Sequence, residues 1–150
     1  MLAWAMLLMV LGTVAVVALR YALGTGAVQL QEAVMYLHAL AFLLGIPYAL
    51  KEDAHVRVDV LRARLGERGR LWVELFGHGL FLVPVSAALF WLSMPYVAAS
   101  WRILEGSPEV GGIPAVFLLK TLLPLLAVLL LLQGLAEMVR CWLRLRTHLG

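Results

Sequence analysis

Cysteine is almost absent from this chain: Cys141 stands alone, which excludes an internal disulfide, a CxxC redox pair and a thiolate metal cage. Charge is scarce too. Asp, Glu, Lys and Arg make up 14% of the 150 residues against 63% apolar, and the mean hydropathy is +0.95. Soluble domains are roughly a quarter charged, so the composition is that of a membrane protein. A basic segment is missing before the first apolar run, and that run outlasts the ~7–15-residue core of a secretory signal. Residues 1–19 are therefore expected to stay in the protein as part of a spanning helix. No apolar segment carries a polar stripe, which argues against a conducting pathway lined by this chain alone. A net charge of +3 would suggest nucleic acid as a partner of a soluble protein. Here it marks loops facing the cytoplasm and the anionic surface of the lipid bilayer, and nucleic-acid binding is set aside.

What is present is length in apolar segments. A spanning helix needs ~20 mostly apolar residues to cross ~30 Å of hydrocarbon, with every backbone polar group bonded inside the helix. Four segments qualify, at about 2–23, 30–50, 71–99 and 115–143, and they define an all-α integral membrane protein with one domain over residues 1–150. Arg20 ends the first and can snorkel to the interface. Pro47 lies in the last turn of the second, where a kink is expected, and Pro84 and Pro95 mark bend points in the third. That third segment, at ~1.5 Å per residue, is longer than the hydrocarbon is thick, so it must tilt, bend or protrude.

The organising stretch is Gly45–Gly66, where an apolar run stops at a dense charged connector. Val56-Arg57-Val58-Asp59-Val60 alternates as a strand would, but a lone strand has no partner in a helical membrane protein. A short interfacial helix in this cytoplasmic connector, ended by Gly66 and Gly69, is the favoured reading. Of the 12 Lys and Arg, only Arg20, Arg102 and Lys120 fall on the side opposite the connector and the termini. The positive-inside rule then places both termini in the cytoplasm and the Gly/Pro-rich loop Trp101–Pro114 outside. Trp4, Tyr48, Trp72 and Trp142 near one boundary, with Tyr21, Tyr96 and Trp101 near the other, fit interfacial aromatic belts.

Two histidines within apolar segments, His38 and His78, invite a haem reading. Their depths disagree: counted from the connector, they lie about 18 Å and about 10 Å in, too far apart for one iron. His38 is better read as hydrogen-bonding within a helix interface. The ionisable residues sit at two separate levels, Glu32 and Lys120 at one boundary and Glu74, Glu137 and Arg140 at the other, where an enzyme needs convergence at one depth. Glu137 and Arg140, three apart, are placed to pair on one helix face.

Several stretches together resemble a known family: Gln31-Glu32 with Met35-Tyr36-Leu37-His38; Gly45–Lys51 leading into His55-Val56-Arg57-Val58-Asp59; Glu105-Gly106-Ser107-Pro108 with Gly111-Gly112-Ile113-Pro114; and Leu119-Lys120, Pro124 and Leu132-Gln133-Gly134. In order and position relative to the helix ends, the chain is similar to the small membrane subunit of tripartite ATP-independent periplasmic (TRAP) transporters, the DctQ-like family. The resemblance implies a subunit in the bacterial inner membrane that binds a larger membrane subunit carrying the substrate and sodium sites. It implies no cofactor in this chain, no enzymatic activity and no ATP hydrolysis, the last in keeping with the absence of a P-loop. A periplasmic substrate-binding protein would deliver the substrate, commonly an organic acid anion, and this chain would stabilise the large subunit and help dock the binding protein. Two other readings stay open. One is a small electron-transfer subunit associated with haem or quinone; the other is a tricarboxylate transporter small subunit, not expected to show the His55–Asp59 elbow.

On that resemblance, the candidate partner-contacting residues are His55, Arg57 and Asp59 as a clasp on the large subunit, Glu105 and Glu109 facing a basic patch on the binding protein, and Glu32 with Lys120 as a boundary ion pair. The competing reading for each is a solvated or snorkelling charge.

Overall fold

The computed structural model describes residues 2–22, 24, 26–51 and 66–147. Helix α1 covers Leu2–Ala22 and α2 covers Val28–Lys51. A third helical stretch runs through α3 (Glu67–Gly77), a π-helical turn (His78–Leu82) and α4 (Val83–Arg102), and α5 covers Val116–Thr147. No strand occurs among the described residues. Among the described residues, four helices are long and apolar enough to cross a membrane: Ala3–Ala22, Val28–Leu50, Glu67–Arg102 and Val116–Arg146.

The third stretch begins four residues earlier than the composition suggests, and Gly69 lies inside it instead of ending a connector helix. The apolar run starts at Leu71, but helix formation does not require apolar residues. Gly66, extended at φ −62° and ψ 168°, opens α3, and Glu67 in the first turn complements the positive end of the helix dipole. Similarly, α5 runs on to Thr147, its last turn carrying Arg144 and Arg146 at the negative end of the dipole. The interfacial helix expected in the connector falls on residues 52–65, outside the described residues.

The expected bend at Pro84 takes a definite form. Proline has no N–H to donate, and its ring crowds the carbonyl four residues back. The chain answers with a wider turn just before it, in which the Val83 N–H bonds to the His78 carbonyl. Pro47, Pro95 and Pro124 lie inside α2, α4 and α5.

The chain divides into two compact units. The first comprises Met1–Ile46 with Ser93–Leu123. In it, His38 Nδ1 lies 3.3 Å from Met9 Sδ, joining α2 to α1, and its ring stacks on Phe42. Trp101 joins α4 to α5: its indole N–H donates to Thr121 Oγ1 at 2.9 Å, and its ring meets Phe117 edge-on, with centroids 4.7 Å apart.

The second unit comprises Pro47–Leu92 with Pro124–Gly150. Leu71, Cys141 and Leu145 form its buried cluster, with Leu75 packed on it. Gly134 lets α5 approach the π-helical turn: a Cβ there would lie 2.9 Å from Leu82 Cδ2. Small residues at helix contacts are how membrane helices gain close packing without a hydrophobic driving force. Ser86 is buried in this unit, and Ser93 and Ser100 of the same helix are buried in the first. Glu137 accepts from Arg140 Nη1 at 2.6 Å, as the three-residue spacing predicts, and from Gln133 Nε2 at 3.0 Å.

Candidate functional site

The most structured polar region among the described residues is the α4–α5 loop with the helix ends that hold it. Helix α4 closes with the Leu104 N–H bonded to the Trp101 carbonyl at 3.3 Å and the Glu105 N–H to the Ser100 carbonyl at 3.0 Å. That paired pattern is a Schellman closure, which needs a left-handed residue after the helix. Leu104 takes that position at φ +47°, where glycine is usual.

Glu105 follows directly, so its carboxylate is brought to Lys120 in the first turns of α5. The two form an ion pair at 2.5 Å, and the Lys120 ammonium also lies 4.1 Å from the centre of the Tyr96 ring. The hydrogen bond from Lys120 holds the Glu105 carboxyl below the usual carboxylate range.

Glu32, near the start of α2, straps the loop. One oxygen accepts from Ser107 Oγ and the other from the Ile113 N–H at 2.5 Å. Ser107 N–H donates to the Ile113 carbonyl at 3.2 Å, and Ser107 Oγ accepts from the Glu109 N–H at 3.1 Å. Gly112 is required by this closure, since a Cβ there would sit 2.7 Å from Glu32 Oε1 and collide with Ser107. Residues 109–112 form a turn, with the Gly112 N–H bonded to the Glu109 carbonyl at 3.0 Å and Gly111 at φ +80°.

The expected pair of Glu32 with Lys120 is thus replaced by two separate arrangements. Shared depth suggested the pairing, but depth does not specify azimuth around the helices. The Schellman closure of α4 delivers a nearer acid, Glu105, to Lys120, while Glu32 is occupied by loop donors. Glu109 presents no side-chain ion pair among the described residues. His55, Arg57 and Asp59 lie outside the described residues. Sequence reasoning missed Ser107 as a partner of Glu32; the paired glycines before Ile113-Pro114 were the available sign of a tightly packed turn.

Chemically, this is a set of straps. Glu105 and Lys120 satisfy each other, and Glu32 is satisfied by the Ser107 hydroxyl and the Ile113 N–H, each holding a segment of the loop against a helix. His78 Nδ1 lies 2.6 Å from the Glu74 carbonyl of its own helix. Among the described residues no group of three His, Cys, Asp or Glu side chains is placed to hold a metal ion.

Four helices long and apolar enough to span a membrane among the described residues define a multi-pass membrane protein. Residues 9–144 match the family model described as "Tripartite ATP-independent periplasmic transporters, DctQ component". The chain belongs to the DctQ family and is a TRAP transporter small membrane subunit. Neither the comparison with curated proteins nor that with solved structures found a match.

Proposed function

We propose that this subunit holds a large, many-helix TRAP permease in the bacterial inner membrane and helps it receive a periplasmic substrate-binding protein, supporting sodium-coupled uptake of an organic acid anion. The family match over residues 9–144, on a chain with four spanning helices, carries the reading. Both termini lie in the cytoplasm, as the Lys and Arg distribution favours. Substrate and sodium sites belong to the large subunit; this chain carries no cofactor and catalyses no reaction.

The elbow residues His55, Arg57 and Asp59 clasp the large subunit at the cytoplasmic face. Glu32, Glu105 and Lys120 shape the external loop that, with Glu109, meets the binding protein. The test is reconstitution. The chain is co-expressed with the large subunit, the complex is placed in liposomes, and uptake of organic acids is followed with an inward sodium gradient and added binding protein. Uptake that needs all three proteins and collapses with the gradient is expected. Unimpaired uptake by the large subunit and binding protein alone removes the assigned role.

A further inference from the structure

The π-helical turn ahead of Pro84 borders a groove of about 400 Å³ that lies wholly within the second unit. Glu74, Gly77, Phe81, Val85 and Leu89 follow one another along its wall in steps of three and four residues, the repeat of one helix face, and Leu50 and Leu130 close it from α2 and α5. At ~1.5 Å per residue the stretch from Glu74 to Leu89 is about 22 Å long, so the mean cross-section of the groove is about 18 Å². That is the girth of one extended hydrocarbon chain, whereas a helix with its side chains is ~10–12 Å across. Gly77 contributes to the room, since a Cβ there would meet nothing within 4 Å.

Polarity is confined to one end. Glu74 and His78 stand there, and the rest of the wall is apolar except for Ser86, which is buried. Beyond Glu74 lies a charged boundary. Leu71 and Leu145 meet in the buried cluster, which sets their neighbours Arg70 and Arg146 at one level. Trp72 and Trp142 are exposed there, and the Arg146 guanidinium lies 3.9 Å from the centre of the Trp142 ring, as suits a headgroup interface. Helix α3 and the last part of α5 bring Arg68, Arg70, Arg140, Arg144 and Arg146 to this end against Glu67, Glu74 and Glu137, a surplus of positive charge.

We propose that the groove binds one acyl chain of an anionic phospholipid, whose phosphate is held by the arginines where α3 begins and α5 ends. Guanidinium and phosphate pair through two parallel hydrogen bonds, and the positive surplus selects an anionic headgroup over a zwitterionic one. The chain enters at the level of Glu74 and follows Phe81, Val85 and Leu89 toward the middle of the bilayer, beside a π turn of the kind that recurs at functional sites. The groove is too narrow to take a helix of a partner protein. Occupancy of this site does not depend on the transport role proposed above.

The test places the complex with the large subunit in phosphatidylcholine nanodiscs doped with phosphatidylglycerol that carries a photoactivatable diazirine midway along one acyl chain. Labelling concentrated on residues 74–89, competed by unlabelled phosphatidylglycerol and not by added phosphatidylcholine, is expected. Gly77→Leu fills the groove without a clash and should cut labelling of that stretch about tenfold while labelling of α1 is unchanged. Arg70→Glu with Arg146→Glu should abolish the preference for the anionic lipid. Equal competition by the two lipids in the wild type, labelling spread evenly over the exposed helices, or no labelling of residues 74–89 because the large subunit covers them overturns the proposal, and these readings need no variant to fold.

Discussion

At the scale of single residues, two carboxylates set the conformation of the α4–α5 loop, and they differ in kind. Glu32 accepts from a hydroxyl and a backbone N–H, so its removal leaves donors unpaired in a partly buried place. Glu32→Ala should destabilise the loop by about 1–3 kcal/mol, read as faster hydrogen exchange across residues 105–114. Glu105 is tied to Lys120, which lowers its carboxyl pKa from the ordinary value of 4.5. A depressed folded-state pKa contributes stability that is complete above the unfolded value and is lost as pH falls through the folded one. Thermal stability of the detergent-solubilised protein should therefore drop below about pH 4.5, and Glu105→Gln should be less stable at neutral pH with a shallower acid dependence. Legibility at this scale followed sequence distance. Glu137 and Arg140 share a helix face by spacing alone, and the pair is present at 2.6 Å. The partners of Glu32 lie 75 and 81 residues away, set by how a loop folds back, and no local rule places them.

At the scale of elements, the four spans were readable because the bilayer imposes a length and an apolarity that a sequence shows directly. Their ends were less so, because polar residues can continue a helix into the headgroup region, as α3 and α5 do. The proline in the third span was legible as a disturbance but not as the wide turn that resolves it. That turn inserts one residue into the helical repeat, rotating what precedes it by about 100° relative to a straight helix. Leu71 and Leu75 pack around Cys141 with that rotation in place. Pro84→Ala restores an N–H that can bond the preceding turn, which removes the reason for the insertion. Cys141, 5% exposed and the only cysteine, reports the outcome. Wild-type protein in detergent should react slowly with a membrane-permeant maleimide, and Pro84→Ala should react several-fold faster as Leu71 and Leu75 turn away.

At the scale of the whole molecule, exposure and composition carry the argument. Trp91, Phe81 and Leu92 are 79%, 67% and 71% exposed, a distribution that water would penalise and that lipid or a partner helix accepts. Within each unit few side chains are buried, so the helices have much apolar surface and little of their own packing to fix their arrangement. Van der Waals contact and scattered hydrogen bonds are the forces available between helices in a bilayer, and more of both become available when another membrane protein covers these faces. Binding to the folded state alone raises apparent stability by mass action. Complex with the large subunit should therefore melt well above the isolated chain in the same detergent, by several degrees at least for a chain of this size. Equal melting of the isolated and complexed chain would mean that the lipid-facing surface is complete without a partner.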